Sequence, residues 1–177
     1  MFLHDPWFWA FVAALGWFQG LLAVGSHRFG SRLWFGVICL VLVEAPRIIL
    51  PLGFVNQPRF DIDLTLPGVV LLIVSVYFAT PVFRIVPLTK PNHKEPLRTD
   101  GLYSIIRHPL MLCDATWPLG WSLIYGSVIG VALTPVWFLI CYLLTELEEQ
   151  ELVKQYGDQY REYQRRVPRL IPFVKWL

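Results

Sequence analysis

Residues 128–149 read VIGVALTPVWFLICYLLTELEE, an uncharged run from Val128 to Leu144 that passes abruptly into Glu146, Glu148 and Glu149. The run approaches the length of a bilayer-crossing α-helix, for which about 20 apolar residues are needed. The acids mark where it leaves the hydrocarbon, because a carboxylate at depth is costly. Immediately upstream, Leu110 to Tyr125 is a second apolar run, separated from the first only by Gly126 and Ser127. Two such runs joined by two turn-forming residues double back on each other, which predicts a tight helical hairpin.

Further apolar runs at Trp7–Val24, Leu33–Phe54 and Leu64–Phe83 bring the expected spans to about five. Composition agrees: 55% of residues are hydrophobic, 16% are charged and the mean hydropathy is +0.51, whereas a soluble domain carries about 25% charge. The expected fold is all-α, a polytopic membrane helix bundle whose last two spans form the hairpin, followed by a C-terminal helix outside the membrane. One domain is expected over residues 1–177, with three helices up to residue 86 and a loop, the hairpin and a tail over 87–177. The net charge of +2 is too small and dispersed for a nucleic-acid partner. Cys39, Cys113 and Cys141 lie in apolar runs without C-x-x-C spacing, so they read as core thiols and imply neither a disulfide nor a metal site.

Basic residues set the expected orientation. Arg28 and Arg32 lie in the first loop, Arg84, Lys90, Lys94, Arg98 and Arg107 around the third, and Lys154, Arg161, Arg165, Arg166, Arg169 and Lys175 in the tail, thirteen of the fifteen Lys and Arg. Five spans put these three segments on one side, and the positive-inside rule makes that side cytoplasmic. The first span lacks a basic n-region and a small-residue cleavage site, so it reads as a retained helix. Gly16 with Gly20 and Gly126 with Gly130 have the spacing of close helix approach and point to packing.

Chemistry is expected in the loop from Pro87 to Arg107 and in the tail. Pro87, Pro91, Pro96 and Gly101 argue against one continuous helix there, leaving backbone amides and carbonyls for a ligand. Arg107 carries a planar fork suited to a carboxylate; Arg107 and His108 also read as cations flanking the fourth helix. At helical spacing Glu149, Leu152, Val153, Tyr156, Tyr160 and Tyr163 share one face, with Glu148, Glu151, Gln155 and Gln159 on the other. That stripe fits an interfacial amphipathic helix. A carboxylate where the last span ends can equally face the Arg107 loop and grip ribose hydroxyls or an ammonium group. Within the second span, Glu44 and Arg47 lie three apart beside Pro46, and either pair with each other or with Asp114, or line an acceptor cavity.

Taken together, Gly101-Leu102-Tyr103, Arg107-His108-Pro109, a hairpin, Glu148-Glu149 with Leu152, Gly157, Tyr160 and Tyr163, and a closing Val167-Pro168-Arg169-Leu170-Ile171-Pro172 resemble the isoprenylcysteine carboxyl methyltransferase family. The resemblance covers about Leu97 to Lys175. It implies S-adenosylmethionine as the cofactor, held in a cytoplasm-facing pocket without a Rossmann domain, and no G-x-G-x-x-G is present. It implicates Gly101, Leu102, Tyr103, Arg107, His108, Pro109, Glu148 and Glu149 in cofactor binding, with Tyr103 and His108 positioning acceptor or cofactor; it assigns no general base and no metal. The acceptor implied is lipophilic or small. Prenylcysteine carboxylate, a phospholipid amine and a small thiol stay open, since the eukaryotic prenylcysteine enzymes carry arginines just before the acidic pair and this chain has no cation from Leu139 through Leu144. Two rival readings remain. Asp114 occupies the final acidic position of a motif resembling that of NADPH-dependent sterol reductases, although Leu110 and Met111 replace its Asn and Tyr. A non-catalytic membrane protein that retains the fold is the other.

Overall fold

The computed structural model describes residues 2–26, 33–85, 96–172 and 174, with side chains described for these except 19–37, 39, 40 and 81–85. Pro87, Pro91, Arg28, Arg32, Lys90, Lys94 and Lys175, used above for the loop and its orientation, lie outside the described residues. The described elements are helical: α1 Pro6–Ser26, α2 Leu33–Ile49, α3 Thr65–Ile85, α4 Pro109–Ile124, α5 Val128–Tyr156 and α6 Asp158–Arg166, with a 3-10 turn at Gly101–Ser104 before α4.

Among the described residues only α5 is both long and apolar enough to cross a membrane; Pro6–Phe18 and Thr65–Thr80 are shorter apolar stretches. The second apolar run is helical only to Ile49, not to Phe54. Pro46 lies inside α2, and Leu50 to Val55 turn back through bonds such as Leu52 N to Ile49 O at 3.0 Å and Val55 N to Leu52 O at 3.1 Å. The tail also departs from one continuous helix. α5 runs on past Leu144 to carry Glu148 and Glu149 itself, and then breaks at Gly157, whose φ of 58° is a backbone state that a side chain opposes.

The hairpin forms where the sequence places it. Gly126 takes φ +63°, and Ser127 caps α5 by accepting from Gly130 N at 3.0 Å. Arg59 ties the opposing loop to this turn, with Nη1 donating to Tyr125 O at 2.5 Å and Pro51 O at 3.1 Å and Nη2 to Leu52 O at 2.8 Å. α4 packs on α3 through two backbones that touch: a Cβ on Gly68 would lie 2.7 Å from Gly120 O, and one on Gly120 would lie 2.9 Å from Gly68 O. Gly16 likewise abuts Leu42 of α2, and the surroundings of Gly20 lie outside the described residues.

Arg47 sits at the centre of the bundle and is fully buried. Nη1 donates to Glu44 Oε1 at 2.9 Å and Asp114 Oδ1 at 2.8 Å, and Nη2 donates to Asp114 O. Its guanidinium also lies 5.5, 5.3 and 5.7 Å from the rings of Trp17, Trp117 and Trp137. A charge withdrawn from water is tolerable only with such pairing, and π-faces add to it. Of the alternatives open for Glu44 and Arg47, the structure forms both ion pairs at once. The Trp cage escapes a reading of neighbours along one helix, because its members come from three.

Candidate functional site

Pro109 begins α4 at the position where a missing N–H costs nothing, and the residue before a proline is held out of the helical region, so His108 stands at the cap with φ −124° and ψ 67°. This turns the His108 ring away from capping and toward α5, where the helix carries Glu148 and Glu149 past the hairpin. Arg107 and His108 are pinned from the other side by the C-terminal segment, with Arg107 N donating to Pro168 O at 2.9 Å and His108 N to Arg169 O at 3.1 Å.

Glu149 is 2% exposed and forms the hub of this site. Its Oε1 accepts from Arg107 Nε at 2.6 Å and lies 3.1 Å from His108 Nε2. Its Oε2 accepts from Gln164 Nε2 at 2.9 Å and from Arg169 Nη2 at 3.0 Å. Burial opposes its charge, but the bonds from His108 and Arg107 and the charges of Arg107 and Arg169 outweigh that and hold the carboxyl down at about 2. For His108 burial again works against the charged form. The bonds to Glu148 and Glu149 prevail and raise its pKa. With Nδ1 at 3.2 Å from Glu148 and Nε2 at 3.1 Å from Glu149, both ring nitrogens face carboxylate oxygens, an arrangement that favours the doubly protonated ring.

The structure thus brings Arg107, His108, Pro109, Glu148 and Glu149 together. The fork of Arg107 meets the protein's own Glu149, and its Nη1 donates to Gln164 O at 2.9 Å and Val167 O at 2.6 Å. Glu148 is the outward member of the acidic pair, with its side chain 50% exposed. Tyr103 joins the core through its carbonyl, which accepts from Tyr163 Oη at 2.6 Å. Gly101 and Leu102 line a separate cleft of about 340 Å³ with Tyr77, Thr80, Arg98, Asp100 and Ile105. Among the described residues, a Cβ on Gly101 would meet nothing within 4 Å.

Three site residues escaped the sequence reading. Gln164 has no local signal, and Glu146 reads only as one of the acids that end the apolar run. Arg169 had one, its place in the closing Val-Pro-x-x-Ile-Pro segment, but was counted only as a cytoplasmic cation. It pairs with Glu146 at 2.6 Å and lies 5.0 Å over the Tyr142 ring. A cation therefore does reach the stretch from Leu139 through Leu144, from another segment. There it borders an almost wholly apolar cleft of about 190 Å³ lined by Phe138, Tyr142, Arg169, Leu170 and Ile171.

A family model described as phospholipid methyltransferase matches residues 65–159. The chain is 33% identical over 88 residues to a protein-S-isoprenylcysteine O-methyltransferase of Schizosaccharomyces pombe, covering 49% of this chain and 37% of that protein. It is 31% identical over 85 residues to a methanethiol S-methyltransferase of Crocosphaera subtropica, covering 44% of this chain and 29% of that protein. The human protein-S-isoprenylcysteine O-methyltransferase is 28% identical over 102 residues, covering 57% of this chain and 36% of that protein. The matched part of the chain thus spans 29% to 37% of the length of these relatives. No solved structure gives a significant match.

Proposed function

Because the chain belongs to the phospholipid methyltransferase family, we propose that it is an integral membrane enzyme transferring a methyl group from S-adenosylmethionine to a lipophilic or small acceptor. The observation that carries this reading is the hub at Glu149. It closes the 101–109 segment, the end of α5 and the 164–169 segment into one frame, bringing together the motifs whose combination resembles the isoprenylcysteine carboxyl methyltransferases. Relatives named for an isoprenylcysteine acceptor and for methanethiol support the acceptor range.

The residues fit the cofactor. The cleft at Gly101 and Leu102 falls within the 300–1,000 Å³ typical of small-molecule sites, and its lining mixes apolar with charged side chains. A sulfonium donor brings its own reactive group, so the protein needs chiefly to orient and to exclude water. In this division of work Gly101, Leu102 and Tyr103 offer backbone and ring, and Pro109 and Glu149 hold Arg107 and His108 in place. Glu148, the exposed member of the acidic pair, faces the cofactor's sulfonium. The apolar cleft beside Arg169 suits the acceptor's hydrocarbon part.

α1 to α5 cross the bilayer in this reading, and α6 lies on the cytoplasmic side. Large apolar side chains exposed along α1 (Trp7, Phe11, Phe18), α3 (Val70, Ile73, Tyr77) and α5 (Val136, Leu139, Leu143) support it, since so much exposed apolar surface is untenable in water. Calorimetry on the purified protein is the test: S-adenosylmethionine and its demethylated product should bind and NADPH should not. Binding of NADPH alone would move the protein to the reductases, and mass spectrometry of lipids and small molecules that gain a methyl group would name the acceptor.

A further inference from the structure

Arg98 and Asp100 stand two residues apart in the extended segment before the 3-10 turn, and both line the cleft at Gly101. Charges so placed commonly pair. Among the described residues neither side chain has a partner, and Asp100, at the cap position of the Gly101–Ser104 turn, makes no side-chain capping bond. Among the described residues the charged groups of the hub are committed: Arg107, His108, Glu148, Glu149, Glu146 and Arg169 satisfy one another. The cleft also presents the exposed ring of Tyr77 and the Thr80 side chain. Tyr103 links it to the hub. Its phenol is raised by burial, and it feels both the Arg98 cation, which lowers it, and the Glu148 anion, which raises it.

An uncommitted cation and anion on one cleft wall match a ligand that carries one charge of each sign a few bonds apart. We propose that this cleft binds the α-amino-acid end of the methyl donor, Arg98 taking the carboxylate and Asp100 the ammonium. The assignment rests on the methyltransferase reading and adds to it the subsite that selects the donor. Arg98 suits the role because its planar fork grips a carboxylate bidentately. The open backbone at Gly101 leaves room beside it for the rest of the ligand.

Two ligands separate this subsite from the reading beneath it. S-adenosylhomocysteine carries the amino-acid end, whereas 5′-methylthioadenosine has the same adenosine and a sulfur without it. In calorimetry the parent should favour the first. Arg98→Gln and Asp100→Asn should each weaken S-adenosylhomocysteine about 10-fold and leave 5′-methylthioadenosine unchanged. Neither side chain is hydrogen-bonded or ion-paired to another described residue, so the variants should melt like the parent. Parent-like binding of S-adenosylhomocysteine by both variants would overturn the subsite and leave the methyltransferase reading standing, as would equal losses for the two ligands. A parent that binds neither ligand would overturn the methyltransferase reading, and the subsite with it.

Discussion

Arg107 Nε donates to Glu149 Oε1 at 2.6 Å across forty-two residues of chain, with both side chains almost out of water at 8% and 3% exposed. Breaking a buried pair from one side leaves an uncompensated charge and costs about 3–5 kcal/mol. Glu149→Gln should therefore lower the stability of the detergent-solubilised protein by about that amount and weaken S-adenosylmethionine binding by about 10- to 100-fold. Gln155→Ala, on the exposed face of the same helix, should change neither. Thermal unfolding and calorimetry on both variants check this, and unaltered melting of the Glu149 variant would remove the hub from the account.

Protonation should govern how tightly the tail is docked. The His108 pKa is raised above 6.5, so its contribution is complete below that unfolded-state value and is lost as pH rises through the folded-state one. For Glu149 the sign reverses. Its pKa falls from 4.5 to about 2, so its contribution is present above 4.5 and lost as pH drops toward 2. Docking of residues 158–170 should be tightest between these limits and loosen as pH rises through the folded-state pKa of His108. Amide hydrogen exchange at pH 6 and pH 9, corrected for intrinsic rates, should show faster opening of this segment at the higher pH.

Arg47 offers a second test of buried charge. Asp114→Asn removes one of its two carboxylate partners and should destabilise the bundle by about 3 kcal/mol. Adding Arg47→Met should recover much of the loss, because an apolar core need not be less stable than a paired one. A double variant that melts below the single one would show that the guanidinium and its Trp cage contribute more than charge balance.

Helix contact through glycine predicts an asymmetric alanine scan. Gly68→Ala and Gly120→Ala would each press a methyl against a backbone carbonyl of the facing helix, costing about 1–3 kcal/mol. Gly53→Ala meets nothing within 4 Å and should be close to neutral. Comparative thermal unfolding reads the difference.

Orientation in the membrane can be read directly. A C-terminal reporter should lie in the cytoplasm, and a cysteine introduced at Asp158 should resist an impermeant reagent applied outside intact cells. Labelling from outside would overturn the five-span arrangement.

Much of the architecture could be read from local signals. Hydropathy located the apolar helices because each apolar run is contiguous in sequence, and Gly126-Ser127 located the hairpin because turn chemistry depends on adjacent residues. Pro109 set the start of α4 for the same reason. The tail resisted such reading: helical spacing placed Glu149 on an aromatic face but continued the helix through Gly157, where the backbone instead breaks with φ 58°. Tertiary structure alone decided what Glu149 meets. Its four donors come from Arg107, His108, Gln164 and Arg169, on segments that only packing brings together. The same holds for the Arg47 cage and the Gly68–Gly120 contact, because which faces meet depends on the crossing of whole helices, and no short window of sequence contains that.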